Sequence, residues 1–571
     1  MSTSFRSGNR TIQSSRAGRT KYLGVLVFLL AIFPAARGTG AGKSNVSCQG
    51  TVISASDDIV SIINAGKQNQ TFCIEGEHRI TAPIELRSGQ SLIGTTSNAR
   101  ISGAVVLSDW QPTSTSGVYY YEGSYAAIQP HQENTFSPGS GNVCYWVTTY
   151  QDDLFFRTTA SNDQRVMRVL SLTEVDPTQP VTTPGQAVTA GEAGRFFFDY
   201  PNQRIYLSLP NGLDPNTATV DLALSLTGST NDALLYGPGQ VNVTLQNLFV
   251  EKTMNYGLYG GVSWTLKDMT IRFIHNVGFF NMRGSATQPA IFSDTLFTSN
   301  GRLAVNITRA TNVIIANSEM SWNNIANFQV TDGETGNGEC KNYNDAGAFH
   351  IYADIGTTAQ PSVTITNLSS HHNIGDGLWS DGGSQYTAIA NSTLYDNEEF
   401  GYKHEISCQV SFEGNTIYGN GVPLKNPAMT GGGISVNDSN SGTFNSNLIY
   451  GNSGYAFLLL FQPTHSNMSI NPCLLASNDG DTSNSLENNQ ISNNTMYSCS
   501  GFKSIGKIWT AGGTLNSRGN QYLANNYHLA DSISDWFSDT NTNGKGTSQN
   551  WSTWQQGNHD TQGTLTPGCT H

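Results

Sequence analysis

The chain has 571 residues, of which 37% are apolar and only 12% charged, with 59 glycines and abundant Asn, Ser and Thr. That composition excludes a helical bundle, and the steady recurrence of Ile, Leu, Val, Phe and Tyr excludes a disordered polymer. It suits many short strands joined by turns. A net charge of −13 disfavours nucleic acid and anionic membrane as partners.

Residues 1–38 read as a secretory signal peptide. No Asp or Glu precedes Asp57, and Arg6, Arg10, Arg16, Arg19 and Lys21 lead into the apolar run Tyr22–Pro34, which small residues follow. The run is short for a membrane span of ~20 residues; an uncleaved signal anchor is the alternative. Cleavage near residues 36–40 removes six of the 29 basic groups, leaving 23 against 42 acidic ones, a net charge of −19. The expected product is secreted, monomeric and free of the membrane. Eight cysteines are spread widely without a CxxC pair, which favours disulfides over a metal or redox motif, with Cys48–Cys73 as the first expected bridge. N-x-S/T sequons at Asn242, Asn306, Asn367, Asn391 and Asn550 are glycosylation candidates, although an Asn-rich repeat also generates them by chance.

Residues 48–110 read as the first turns of a coil. From 111 to 225 the period breaks, and the longer aromatic runs DDLFFRTT, RVMRVLSL, GRFFFDY and RIYLSLP predict an inserted antiparallel β subdomain. The repeat occupies 226–530. LQNLFV, LKDMTI, FSDTLF, IANSEM, ITNLSS, IANSTL and FEGNTI place landmarks at Asn247, Asp268, Asp294, Asn317, Asn367, Asn391 and Asn415, in steps of 21, 26, 23, 50, 24 and 24. Further copies put Asn447 and Asn520 in the series. The long step from Asn317 to Asn367 is either two turns or one turn with a long loop. Short alternating strands with Asn corners at a period near 24 predict an all-β, right-handed parallel β-helix. Residues 531–571, rich in Trp, Thr and Asn, read as a C-terminal cap.

Asp381 and Glu405 lie one full period apart, at equal offsets from their landmarks Asn367 and Asn391. They therefore share one phase on neighbouring turns, ~4.8 Å apart along the axis. Alternation puts Leu378 inside and Trp379 and Asp381 outside, with Lys403 in the column of Trp379. Two stacked carboxylates near 5 Å match the ~5–5.5 Å spacing of a retaining glycosidase, in which one attacks and the other handles the proton. Trp379 is the expected sugar platform. His350 falls in the same column if Ala348 matches Gly377, His404 adjoins Glu405, and Asp376 lies in the preceding corner. These form the expected substrate-binding set. The bland alternatives are a polar surface ladder or a calcium site, though stacked like charges are costly on a neutral surface. His371 and His372 with Asp376 give a weaker metal candidate. No cofactor is expected, with structural or catalytic calcium as the alternative.

The segments DAGAFHIY, HHNIGDGLWSDGG and GYKHEIS resemble secreted right-handed β-helix proteins of the pectin-lyase-like fold, and the runs upstream resemble that group's inserted β subdomain. GLW-x-D followed one turn later by an acid also resembles β-helix glycoside hydrolases that act on xylosides. That likeness implies Asp381 as nucleophile and Glu405 as acid/base, on a poly- or oligosaccharide substrate. The group's usual Lys in AGGxK is replaced by His350. The alternatives are a polysaccharide lyase, for which Lys403 is the well-placed base, a uronate epimerase, or a non-catalytic glycan-binding adhesin.

Overall fold

A computed structural model describes residues 45–125, 143–144, 153–159, 163–169, 171–179, 194–226, 233–325, 331–332, 347–352, 354–421, 431–461, 486–499, 505–509, 519–531, 534–540, 546–569 and 571. The chain winds as a parallel β-helix. Each coil gives one short strand to each of three sheets of 13 strands. In the first sheet Val313 pairs with Val363 and Val363 with Thr387, all parallel. The long step from Asn317 to Asn367 is therefore a single coil carrying a long loop.

Short strands form because the sequence alternates apolar and polar residues and then breaks at a corner residue. Asn247, Asp268, Asp294, Asn317, Asn367 and Asn391 all adopt left-handed backbone angles, with φ between 49° and 56°. Asn and Asp tolerate this conformation best among residues with a Cβ. Asn415 and Asn447 do not belong to this series. Gly414 (φ 65°) and Ser446 (φ 57°) take the left-handed corner there. Asn415 and Asn447 sit one residue later, buried, where Asn415 Nδ2 donates to Asn447 Oδ1 at 3.2 Å. Asn520 belongs to another corner, where it accepts from Asn489 Nδ2 at 2.9 Å.

A second buried ladder runs Asn300, Asn323, Asn373, Asn397, Asn420, Asn452, each Nδ2 donating to the next Oδ1 at 2.8–3.0 Å. It stands at the corner leading into the third sheet and fixes where each strand of that sheet begins. Inside the coil, Phe349, Leu378, Tyr402, Ile434 and Phe457 stack in one column of a continuous apolar core.

Two ends close that core. Helix Ile59–Ala65, which the repeat did not announce, is capped by Asp58 and buries Ile59 and Ile63 at the N-terminal end. At the other end the coil continues beyond 531: Phe537–Thr540 and Thr564–Pro567 each add a strand in parallel. Helix Trp551–Gln556 places the fully buried Trp554 ring 5.0 Å from Phe537. The disulfides Cys48–Cys73 and Cys499–Cys569 pin the same two regions, and Cys408 is disulfide-bonded as well. Among the described residues no helix is long and apolar enough to cross a membrane.

The inserted subdomain is built mainly of antiparallel strands, with Met167–Arg168 pairing in parallel with Arg195–Asp199. It begins earlier than expected, at Ala104–Leu107, which pairs antiparallel with Thr219–Ala223. Alternation marks a strand but does not tell its direction, so the sequence assigned this one to the coil. The insert has its own apolar core. It is tied to the coil by a buried ion network. Lys252, 0% exposed, binds Asp221 at 2.7 Å and also Asp163, and Arg272 binds Glu251 at 2.8 Å and also Asp163. Burial alone would raise the Glu251 pKa, but Arg272, Lys252 and Arg100 overcome it and hold the carboxylate ionised.

Replacing Asn397 with Ala removes the acceptor of the Asn373 amide and Nδ2 and the donor to the Ser370 carbonyl, while Asn420 Oδ1 keeps the backbone amide of residue 397. Buried unsatisfied groups cost roughly 1–3 kcal/mol each, so N397A is expected to lose about 2–4 kcal/mol in denaturant unfolding. Asn367→Gly, at a left-handed corner where the side chain makes one exposed hydrogen bond, to Asn317 Oδ1, is expected to stay within about 1 kcal/mol.

Candidate active site

Eight strands of the third sheet carry the outward columns that matter here: β1 (Ala233–Tyr236), β2 (Tyr256–Tyr259), β3 (Val277–Phe280), β4 (Leu303–Thr308), β5 (Gly347–Tyr352), β6 (Asp376–Asp381), β7 (Phe400–Glu405) and β8 (Gly432–Asn437). His350 pairs with Trp379 and Trp379 with Lys403, so these three form one column across β5–β7. Tyr352 pairs with Asp381, and Ser380 with His404. Continued by one residue, the second register puts Glu405 beside Asp381, with Asn437 next beyond Glu405 on β8.

Charge and hydrogen bonds link the columns. Lys403 Nζ contacts Glu405 Oε2 at 2.8 Å, and Asn437 Nδ2 donates to Glu405 Oε1 at 3.3 Å. Ser435 Oγ donates to Asn437 Oδ1 at 2.7 Å, which aims that amide. His350 Nε2 lies 3.4 Å from Asp381 Oδ2. The side chains of Asp381 and Glu405 are 15% and 9% exposed, enough to be reached from outside. Burial raises the Asp381 pKa and the neighbouring Glu405 charge raises it further, against the hydrogen bond and charge of His350 and the charge of Lys403. For Lys403 burial pulls the pKa down, but Glu405, Asp376 and Glu399 push it up and prevail, so the ammonium stays charged.

Two expected roles need correction. Trp379 offers no free ring face. The His350 ring stacks on it at 4.4 Å and 25°, and Lys403 Nζ from the following coil lies 4.6 Å from its centroid. Here the register brings an imidazole and an ammonium against the indole from the neighbouring coils, so this ring is covered along the axis. His404 is not in the groove at all. It is 0% exposed and points into the coil, with Nδ1 3.2 Å from the Tyr402 hydroxyl. Burial drives its pKa down to about 3, so it is a neutral core residue. Adjacency to Glu405 misled here because neighbours along a strand face opposite ways.

Asp376 is buried at the head of β6. Its Oδ1 accepts from the Phe400 amide at 3.0 Å, while Oδ2 is buried without a hydrogen-bond partner. His371 and His372 do not converge with it: their Nδ1 atoms are 2.8 Å apart, and their Nε2 atoms face Glu319 at 3.3 Å and Asp396 at 3.8 Å on the second sheet. Asn437 and Tyr352 were missed. The signal for Asn437 was present, since it follows Glu405 by 32 residues, the same step that separates Asn415 from Asn447.

Residues 257–424 and 340–527 match the family model described as right handed beta helix region. A structure titled as the complex of XylC with xylose is similar over 82% of this chain and 80% of that chain, with a TM-score of 0.58 and 12% identity. The A-module of the Azotobacter vinelandii mannuronan C-5 epimerase AlgE6 covers 86% of this chain and 92% of its own at TM-score 0.40 and 13% identity. The periplasmic alginate epimerase AlgG covers 84% and 82% at TM-score 0.36 and 10% identity. At 12% identity the likeness to the XylC structure is one of fold. The comparison with curated proteins gives no match. The chain folds as a right-handed parallel β-helix.

Burial raises the Asp376 pKa from the usual 3.8 to about 6, with Glu405 adding to the rise and Lys403, the Phe400 amide and His350 opposing it. The folded chain thus keeps this proton where the unfolded chain has lost it, and its contribution to stability fades as pH rises from about 4 through about 6. The span corresponds to about 3 kcal/mol. Asp376→Asn, whose Oδ1 still accepts from Phe400, is expected to narrow the gap in unfolding free energy between pH 4.5 and 7.5 by about 2 kcal/mol, because part of the span lies below pH 4.5.

Proposed function

We propose that the protein is a secreted carbohydrate-active enzyme, a retaining glycoside hydrolase whose two carboxylates are Asp381 and Glu405. The observation that carries this reading is the axial register, which stands the two acids on adjacent strands of one outward face. Strand spacing of ~4.8 Å is close to the ~5–5.5 Å that retention requires. In the first step one carboxylate bonds to the anomeric carbon while the other protonates the departing glycosidic oxygen. In the second the deprotonated acid takes a proton from water, whose oxygen displaces the first carboxylate.

The resemblance carried by Gly377–Asp381 and the acid one coil later assigns attack to Asp381 and proton transfer to Glu405. Lys403 and His350 then orient the sugar and balance charge. A second assignment has an observation in its favour. Lys403 holds Glu405 in an ion pair at 2.8 Å, whereas burial pushes the proton toward Asp381. On that reading Glu405 attacks and Asp381 is the acid. A lyase that uses Lys403 as base is disfavoured under either assignment, because the carboxylates around it keep it protonated. The basic leader and the disulfides support export.

An aryl xyloside is the first donor to try, given the xyloside-type resemblance and the xylose in the XylC structure. With azide added, the Ala variant of the nucleophile is expected to yield a glycosyl azide of inverted configuration. The Ala variant of the acid/base is expected to give the retained one, with a loss of roughly 10²–10⁴-fold without azide. Inverted product from Asp381→Ala supports the first assignment, and from Glu405→Ala the second. Unchanged turnover in both variants, across a panel of aryl glycosides, would sink the proposal.

A further inference from the structure

The outward column that holds His350, Trp379 and Lys403 does not begin at His350. Followed back through the pairings it continues as Asn306, Phe280, Tyr259 and Tyr236, one residue per coil across β4, β3, β2 and β1. Tyr256, at the head of β2, stacks on Phe280 at 4.9 Å. Four half-buried aromatic rings thus occupy three successive coils of the sheet that carries Asp381 and Glu405.

Their packing differs from that of Trp379 in the respect that matters for a ligand. Tyr259 meets Tyr236 at 82° and Phe280 at 88°. Edge-to-face contacts within a column leave one of each pair with a ring face that its axial neighbours do not cover. An uncovered aromatic face with phenol hydroxyls at its rim suits a neutral sugar ring, which offers C–H groups on its face and hydroxyls around its edge. The row is also walled. Phe155 and Ala223 of the insert pack with Met254 and Phe273 at the corners just ahead of β2 and β3. The insert's Val143–Cys144 pairs with Thr331–Asp332, in the loop that precedes β5. The same subdomain therefore packs beside the aromatic row at Met254 and Phe273.

We propose that Tyr236, Tyr256, Tyr259 and Phe280 form a remote binding track for a neutral polysaccharide, one chain of which lies along the sheet from this row to the Asp381–Glu405 pair. Tyr259 is four strands from Asp381, a span of ~19 Å, and Tyr236 is five, ~24 Å. A single monosaccharide cannot bridge either distance, so the track selects polymer over small glycoside. The occupant is identified by continuity: the row shares its sheet, its outward face and its column with the candidate site. The inference rests on the glycosidase reading for which end of the track is reactive, but not for the binding itself.

The test separates the two. In the full chain carrying Asp381→Asn, retention by soluble xylan, arabinan, mannan and mixed-linkage β-glucan is measured by affinity electrophoresis. Tyr259→Ala and Tyr236→Ala, each folded as judged by its unfolding midpoint, are expected to weaken retention by the preferred polymer about tenfold. Trp322→Ala, on an exposed ring of the second sheet, is expected to leave it unchanged. In the intact chain Tyr259→Ala is expected to raise KM for the polymer while kcat/KM for an aryl glycoside stays within twofold. Equal retention of the parent and both Tyr variants overturns the track, as does a parent retained by none of the four polymers. Tyr-dependent retention without turnover of any glycoside upholds the track and removes the glycosidase reading instead.

Discussion

Register along the axis is the constraint on which the rest of this protein depends. Each coil must return one residue above the same residue of the coil before it, although the step is 20 residues between Phe72 and Leu92, 50 between Asn317 and Asn367, and 153 between Leu92 and Leu245, where the insert intervenes. Buried asparagines enforce this. An Asn side chain has both a donor and an acceptor, so it can bond the coil above and the coil below, and any slip leaves both groups unmet in an apolar interior. The ladder through Asn373 and Asn397 lies at the corner where β6 and β7 start. The geometry of the two carboxylates is thus set a few residues upstream of them, by amides that never face solvent.

The same register shapes the electrostatics of the site. Stacking brings unlike chemistry into contact as readily as like: imidazole on indole, ammonium on indole, carboxylate beside carboxylate. Each member tunes the next. Asp381 keeps its proton more readily because it is buried and because Glu405 is near, while Lys403 keeps its charge because acids surround it. No single residue in this row has properties that could be assigned in isolation.

Much of this was legible in the sequence, and the failures have physical causes. The period near 24 and the alternation around Leu378 were enough to place Asp381, Glu405, Lys403 and His350 on one face. Asn415 and Asn447 were misassigned because Asn serves two different corner functions, a left-handed backbone and a buried ladder, and the letter is the same for both. His404 was misassigned because proximity along a strand was allowed to outweigh alternation. Trp379 was placed correctly but given the wrong task, since pattern shows which way a side chain points and not what lies against its faces. The direction of strand Ala104–Leu107 was not readable because antiparallel and parallel strands share the same alternation.

The buried ion network between insert and coil bears on how such a protein can change over generations. Lys252, Glu251 and Arg272 belong to the coil, and Asp163 and Asp221 to the insert. Loss of the insert would strip Lys252 and Arg272 of the carboxylates of Asp163 and Asp221 and open to water a patch of the coil that the insert now covers. Neither part can be gained, shed or exchanged without the other changing in step.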